Sequence, residues 1–142
     1  GMVLGQAQDI AAESAAAPLT LDQITELQGN KTGRLIEWPA EAGAILGRAD
    51  PAPLRQYARA IGLAFQIADD ILDVEGDAAT AGKALQKDAA AGKATFVSLM
   101  GLDGAKARAA DLVAEAEAAL DGFGERADTL KGLARYIIAR DR

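Results

Sequence analysis

The nine residues from Phe65 to Asp73 constrain the fold of this chain more than any other stretch, because they place carboxylates inside an apolar segment. Residues three and four apart share one face of a helix, so the polar positions form a narrow stripe: Gln66, Asp69, Asp70 and Asp73. The other positions are apolar: Ala64, Ile67, Ala68, Ile71, Leu72 and Val74. A helix that is apolar nearly all round is a buried helix. The segment therefore predicts a buried helix in an all-α domain.

Three neighbouring carboxylates on a buried helix repel one another and lose their hydration. A bound cation relieves both effects, and Mg²⁺ prefers carboxylate oxygens together with water and phosphate oxygens. We therefore predict that Asp69, Asp70 and Asp73 bind Mg²⁺, or Mn²⁺ in its place, on the wall of a cavity that receives a phosphorylated ligand. The alternative is a solvated acidic face without a role, but such a face normally carries Lys, Glu or Ser between the acids.

The composition excludes several classes of function. The net charge of −6 argues against nucleic acid as a partner, because a nucleic-acid-binding domain needs a basic face. The chain contains neither cysteine nor histidine, which excludes disulfides, thiolate nucleophiles and histidine bases. No apolar run approaches the roughly twenty residues of a membrane span, and no signal peptide is recognisable. We therefore expect no membrane span and a cytoplasmic location.

The chain length and its helical periodicity favour one all-α domain over residues 1–142. Thr20 and Gln23 form a capping-box pattern, and Asp50-Pro51 is typical of a helix start. A break is expected near Gly33, a stop at Gly76, and a loop over residues 77–95. The helices are expected at 2–16, from Thr20 to about 46, at 51–75, at 96–100, from Asp103-Gly104 to about 121, and at 125–139 with Leu130, Leu133, Ile137 and Ile138 inward.

Three further groups of residues could bind phosphate oxygens or line a cavity. Lys31-Thr32 lies beside glycines, where ammonium and backbone N–H groups can reach a phosphate, although spacing alone favours an exposed lysine in a turn. A further segment contains Lys83, Lys87 and Lys93, with Asp88 among them. This lysine-bearing loop could close over a diphosphate, and an ordinary polar loop without a role is an equal alternative. Gln6 and Asp9 lie three apart on the first helix, where a solvated face is the stronger alternative.

Several motifs together resemble a known family. The aspartate-rich region FQIADDILD and the following GKALQKDAAAGKATFVSLMGLDGA closely resemble the second aspartate-rich region and loop of the trans-isoprenyl diphosphate synthases. The upstream runs GMVLGQAQDIAAE and LQGNKTGRLI resemble two further motifs of that family, in the same order. The similarity is greatest to the bacterial farnesyl diphosphate synthases (geranyltranstransferases). The family's first aspartate-rich motif is absent, so the resemblance implies the C-terminal half only of an isoprenoid-synthase helical bundle.

The resemblance implies an activity and its substrates. Members of this family are Mg²⁺-dependent prenyltransferases of isoprenoid biosynthesis. They condense isopentenyl diphosphate with an allylic diphosphate, dimethylallyl or geranyl, and the farnesyl-type members give farnesyl diphosphate. We therefore expect both diphosphates as ligands, and a chain that is inactive without the missing N-terminal half.

The resemblance also implies roles for individual residues. Asp69 would be the principal metal ligand, supported by Asp70 and Asp73. Lys31, Thr32 and Gln66 would be catalytic, the lysine by gripping the diphosphate and the other two by placing oxygen dipoles beside the allylic cation. Substrate binding would involve further residues: Lys83 and Lys93 at the allylic diphosphate, Phe65 in the isopentenyl pocket, Gln6 and Asp9 on the cavity wall, and Arg140 and Arg142 at the closing C-terminus.

Other interpretations of the sequence stay open. The chain could belong to a geranylgeranyl-type synthase or to a class I terpene cyclase, which shares the cavity chemistry. It could also be a non-catalytic helical partner of a complete synthase, although the family's aspartates are retained here. Half of a helical bundle would expose the apolar surface that the other half covers. We therefore also expect a homo-oligomer.

Overall fold

The structure, a computed structural model, describes residues 1–80 and 94–140, with side chains described except at residues 77–80. Within these ranges the regular structure is helical and no β-strand occurs, which confirms the all-α class. The elements are α1 (Met2–Glu13), α2 (Leu21–Gln28), a π-helical stretch called here the π segment (Gly29–Gly33), α3 (Arg34–Leu46), α4 (Ala52–Thr80), α5 (Phe96–Ala119), a 3₁₀ turn (Asp121–Ala127) and α6 (Asp128–Ala139). None of the helices in the described part of the chain combines the length and apolar character that a membrane crossing requires.

Helix α4 is the central element, and it packs along α5 as well as against α3, α6 and the π segment. Alanines on both sides allow α4 and α5 to approach closely: Ala60, Ala64 and Ala68 on α4, and Ala105, Ala109 and Ala116 on α5. Ile67, Phe96 and Leu120 are the largest fully buried side chains. Burial of each such side chain stabilises the fold by roughly 1.5–3 kcal/mol. The apolar part of α4 is therefore buried, as the sequence predicts.

Two helix starts follow the predicted capping patterns. The Thr20 hydroxyl accepts a hydrogen bond from the Gln23 amide at 3.3 Å, and the Gln23 side chain accepts one from the Thr20 amide at 2.9 Å. This capping box opens α2. At the start of α4, an Asp50 carboxylate oxygen accepts a hydrogen bond from the Ala52 amide at 2.9 Å. Both caps satisfy amides that the helix itself leaves without an acceptor.

The predicted stop at Gly76 is wrong, because α4 continues to Thr80. Gly76 lacks the positive φ of a glycine cap, and an isolated helical glycine is tolerated at a cost of about 1 kcal/mol. The predicted break between residues 100 and 103 does occur. It lies at Gly101, whose φ of 75° and ψ of 161° interrupt α5. Glycine adopts this conformation without the Cβ clash that other residues meet.

Helix α6 begins at Asp128, after a 3₁₀ turn that contains Gly124 at a φ of 57°. Ile137 is buried and Leu130 is partly buried, as predicted. The prediction that Leu133 and Ile138 face inward is wrong, because they are 46% and 38% exposed. Ala134 and Ile137 form a narrow buried stripe on α6, and the other two apolar residues lie on its two flanks.

The π segment lies between α1 and α4, and two glycines allow this approach. Gly5 of α1 is buried, and a Cβ atom added to it would lie 2.2 Å from the backbone nitrogen of Lys31. A Cβ on Gly62 of α4 would lie 3.4 Å from the Cα of Gly33. The predicted break near Gly33 is therefore a local widening of the helix that leads directly into α3. Such π-helical turns occur frequently at functional sites.

A charged cluster joins α3 to α4. Glu37 is only 5% exposed. Its carboxylate accepts hydrogen bonds from Arg34 at 2.7 Å and from Arg59 at 2.9 Å. One turn further along, Arg55 binds Glu41, and this contact holds the pKa of the Glu41 carboxyl below its usual range. Because Glu37 is buried, its arginine partners compensate a charge that would otherwise be costly.

Replacing Tyr57 with phenylalanine is expected to lower the free energy of unfolding by about 1 kcal/mol. The buried Tyr57 hydroxyl donates a hydrogen bond to the Leu130 carbonyl at 2.8 Å and so joins α4 to α6. Burial also raises the pKa of Tyr57. The unfolded chain therefore loses this proton first, so stability falls as pH rises above about 10 and on through the raised folded pKa. Urea denaturation near neutrality and above pH 10 measures both effects.

The same substitution at Tyr136, which is 64% exposed, is the matched control and should leave stability unchanged at either pH. Equal alkaline losses in the wild type and the Tyr57→Phe variant would contradict the assignment of this pH dependence to Tyr57.

Candidate functional site

A cavity of about 780 Å³ lies between α1, α2, the π segment and α4. It brings together side chains that are far apart in the sequence, among them Asp9, Lys31, Asp70 and Thr95. Its described wall carries three acidic residues and one basic residue: Asp9, Glu13 and Asp70, with Lys31. A cleft with this excess of negative charge attracts cations.

The Lys31 ammonium lies 2.6 Å from a carboxylate oxygen of Asp9. Each side chain is partly exposed to the cavity, at 35% for Lys31 and 15% for Asp9. The interpretation of Lys31 as a solvated turn lysine is therefore not supported, since the residue lies in the π segment against α1. A parallel amide contact helps to align the two elements, because Asn30 donates to the Gln8 side chain at 3.1 Å.

The acidic residues of α4 do not act as one stripe, because Asp69 and Asp70 point to different neighbours. Asp70 lines the cavity, and one of its oxygens accepts a hydrogen bond from the Phe96 amide at 2.7 Å, at the start of α5. Asp69 binds the guanidinium of Arg140, the residue that follows α6. Adjacent residues of a helix are about 100° apart around its axis, so the Asp70 carboxylate points to the start of α5 and the Asp69 carboxylate points to the end of α6.

The acidic side chains of α4 are more exposed than the prediction of a buried helix implies. The Asp69 side chain is 44% exposed and Asp73 is exposed, whereas Asp70 is intermediate. Among the described residues no three acidic side chains lie close enough together to form a metal-binding group. The burial cost that favoured a metal is therefore smaller than the sequence suggests, and any cation site here needs oxygens from elsewhere.

The remaining predicted residues that the structure describes do not line the cavity, with the exception of Asp9. Phe65 is half-buried, and the Arg140 guanidinium carbon lies 4.3 Å from its ring centroid. Thr32 and Gln66 are also half-buried, but neither is among the described residues that line the cavity. Gln6 is exposed, so of the predicted α1 pair the structure places only Asp9 on the described wall. Lys83, Lys87, Lys93 and Arg142 lie outside the described residues.

Sequence reasoning missed two groups in this region. Gln28 lines the cavity, and its buried amide oxygen accepts no hydrogen bond from the part of the chain that the structure describes. A ligand or water donor would satisfy this oxygen. The Phe96 amide, which holds Asp70, was also missed because a backbone donor carries no sequence signal. The start of α5 does carry a sequence signal, since Thr95 and Ser98 form a capping box there.

The sequence is similar to proteins of known activity over its whole length. It is 43% identical over 149 aligned residues to the farnesyl diphosphate synthase of Escherichia coli, covering 100% of this chain and 49% of that protein. It is 41% identical to the chloroplastic geranylgeranyl pyrophosphate synthase of Capsicum annuum, covering 99% of this chain and 39% of that protein. The chain thus spans about half the length, or less, of these curated relatives.

Solved structures of two synthases share the fold of this chain. A FPP/GFPP synthase from Zymomonas mobilis superposes with a TM-score of 0.84 at 50% identity, over 96% of this chain and 45% of that one. A geranyltransferase from Helicobacter pylori, complexed with magnesium and isoprenyl diphosphate, gives a TM-score of 0.72 at 32% identity, over 98% and 46%. The family model described as polyprenyl synthetase matches residues 1–125. The chain therefore belongs to the polyprenyl synthetase family.

Proposed function

We propose that the protein containing this chain is a Mg²⁺-dependent prenyltransferase of isoprenoid biosynthesis that joins isopentenyl diphosphate to dimethylallyl or geranyl diphosphate. The observation that carries the proposal is the cavity in which Asp70 of α4 and Lys31 of the π segment line the same space. The combination of carboxylate and ammonium suits a metal diphosphate, which presents both a cation and an anion. The magnesium and isoprenyl diphosphate in the Helicobacter pylori structure support this choice of ligands.

The chemistry of the donors fits Mg²⁺, although the described residues form no group of three acids. Mg²⁺ commonly takes one or two protein carboxylates and completes its octahedron with water and substrate phosphate. Asp70 at the cavity and the partly exposed Asp69 beside it provide such oxygens, and Asp73 lies one turn further along α4. We propose these three residues as the metal-binding set, with one or two of the carboxylates bound directly and the rest through water. When bound, the cation would neutralise charge on the departing diphosphate.

The side chains of this chain would prepare the allylic diphosphate for departure. Lys31, held by Asp9, would donate hydrogen bonds to diphosphate oxygens and stabilise the charge that develops as the C–O bond breaks. Thr32 and Gln66 would direct oxygen dipoles at the allylic carbon, and Phe65 would exclude water beside the isopentenyl group. The isopentenyl double bond then forms the new C–C bond, and loss of a proton restores an alkene. Lys83 and Lys93 are proposed as further diphosphate ligands.

Farnesyl diphosphate is the proposed product, with geranylgeranyl diphosphate as the second candidate. The Escherichia coli relative supports the first and the Capsicum annuum relative supports the second, at nearly equal identity. Chromatography of the dephosphorylated products, prenyl alcohols of 15 or 20 carbons, distinguishes the two. A product of 15 carbons from geranyl diphosphate supports the farnesyl assignment.

The decisive test replaces Asp70 with asparagine. The chain spans about half the length of the Escherichia coli farnesyl diphosphate synthase. The assay therefore uses a chimera in which this chain replaces the corresponding half of that synthase. Asparagine keeps an oxygen that can accept from the Phe96 amide but removes the charge that a cation needs. We expect a loss of about 100-fold or more in prenyl transfer from geranyl to isopentenyl diphosphate.

Asp111→Asn is the matched control, because Asp111 is exposed on α5 and does not line the cavity. It should retain the activity of the parent chimera. Full activity of the Asp70→Asn chimera, with an unchanged Mg²⁺ requirement, would contradict the proposed site.

We also infer that the chain associates with further copies of itself. Large apolar side chains on α1 and α3 are strongly exposed, including Val3 at 79%, Trp38 at 67% and Leu46 at 85%. Apolar surface of this kind favours burial against another protein surface.

A further inference from the structure

The Arg140 side chain makes two kinds of interaction where α6 ends beside α4. Its guanidinium binds a carboxylate oxygen of Asp69 and stacks over the ring of Phe65, with its Cζ 4.3 Å from the ring centroid. These two partners lie four residues apart, so they share one face of α4. The Arg140 side chain is only 16% exposed, which shows that it lies against α4 instead of extending into solvent.

Both partners of Arg140 belong to the proposed site. Asp69 is in the proposed metal-binding set, and Phe65 is the proposed contact for the isopentenyl group. A guanidinium and a divalent cation are both positive, and each is attracted to the same carboxylate oxygens. Simultaneous close binding would place two positive charges side by side, so the two partners oppose each other. The contact seen here therefore bears directly on metal binding.

The position of Arg140 in the chain makes its release structurally simple. It is the first residue after α6 and has an extended conformation, with a φ of −71° and a ψ of 147°. Its backbone amide donates to the Tyr136 carbonyl at 3.1 Å, so the residue is still attached to the last turn of the helix. Its buried Nε has no hydrogen-bond partner among the described residues. A buried donor without a partner disfavours the docked position.

We propose that Arg140 is a positioning residue that occupies the Asp69 carboxylate until a divalent cation displaces it, so that metal loading frees the end of α6 from α4. This inference rests on the proposed function, because it takes Asp69 as a metal ligand. It predicts coupling in both directions: removing Arg140 strengthens metal binding, and adding metal loosens the end of α6.

The first test measures Mn²⁺ binding to the purified chain from the loss of the free-ion electron paramagnetic resonance signal. Arg140→Gln is expected to bind Mn²⁺ about fivefold more tightly than the wild type, because the competing charge is gone. Arg140→Lys keeps a charge but loses the planar group, so an intermediate affinity is expected. Arg135→Gln is the matched control on the same helix, where Arg135 binds Glu117 at 2.5 Å, and it should leave the affinity unchanged.

The second test follows the end of α6 directly. The chain contains no cysteine, so Ala139→Cys gives one site for a nitroxide spin label, and Ala118→Cys on α5 gives an exposed control site. Addition of diamagnetic Mg²⁺ is expected to increase label motion at position 139 and not at position 118. A merely structural ion pair would leave both spectra unchanged.

The Asp69→Asn variant separates failure of this inference from failure of the proposed function. If Asp69→Asn binds Mn²⁺ as tightly as the wild type, the proposed metal site is wrong and the competition is wrong with it. If Asp69→Asn weakens Mn²⁺ binding while Arg140→Gln does not strengthen it, only the competition is overturned. Weaker binding in Asp69→Asn, tighter binding in Arg140→Gln and a Mg²⁺-dependent release of position 139 together support the inference.

Discussion

Replacing Gly5 with alanine is expected to lower the free energy of unfolding by about 3 kcal/mol or more. The added Cβ would lie 2.2 Å from the Lys31 nitrogen and 2.4 Å from the Lys31 Cα, and both of these atoms belong to backbone. A backbone neighbour cannot rotate away as a side chain can, so α1 must move from the π segment. For a chain of this size the melting temperature should fall by about 10 °C. Thermal and urea unfolding followed by circular dichroism give both values.

The same displacement has a consequence at the candidate site. Lys31 and Asp9 lie on the two elements that would separate, and their present distance is 2.6 Å. We therefore expect Gly5→Ala to weaken this ion pair as well as to destabilise the fold. Structural comparison of the variant with the wild type would show α1 shifted away from the π segment.

Gly43→Ala is the matched control for this prediction. Gly43 lies in α3 and is exposed, and an added Cβ would have no neighbouring atom within 4 Å outside its own helix turn. Alanine is the better helix former, so this variant should be more stable by about 0.5–1 kcal/mol. If Gly5→Ala behaved like Gly43→Ala, the close packing of α1 on the π segment would be disproved.

Replacing Phe96 with alanine is expected to cost about 3–5 kcal/mol of stability. Phe96 is 1% exposed and is one of the three largest fully buried side chains, so its removal leaves a cavity between α4 and α5. Its amide also donates to Asp70, which means that the start of α5 helps to orient a proposed metal ligand. A looser α5 start should therefore reduce prenyl transfer in the chimera beyond the effect of stability alone.

Leu99→Ala is the control in the same turn of α5. Leu99 is 41% exposed, so truncation should remove far less buried surface and cost about 1 kcal/mol or less. Urea denaturation of the two variants gives the comparison. Equal losses in Phe96→Ala and Leu99→Ala would show that Phe96 does not anchor the contact of α5 with α4.

Features that depend on neighbours in the sequence were predictable. The capping box at Thr20, the cap at Asp50 and the apolar part of α4 all follow from residues within about four positions of one another. The motifs around Asp69 and Lys31 also indicated the family, because they recur in a fixed order along the chain. The predicted end of α4 at Gly76 was wrong, because a glycine acts as a helix cap where the chain takes a positive φ, and Gly76 does not.

The arrangement of the site could not be predicted from spacing alone. The sequence places Asp69 and Asp70 side by side, but packing directs Asp70 to the α5 start and Asp69 to the end of α6. Exposure of Leu133 and Ile138 likewise depends on how narrow a stripe of α6 meets α4 and α5.

By itself the sequence determined the all-α class, the helix starts and the family, because hydrophobic period, caps and motifs act through short separations along the chain. Only the tertiary structure decided the pairing of Lys31 with Asp9, 22 residues apart, and of Arg140 with Asp69, 71 residues apart. Such contacts depend on how helices pack and on which small residues let backbones approach. The glycine at position 5 is one of these residues, and its role becomes visible only when α1 lies against the π segment.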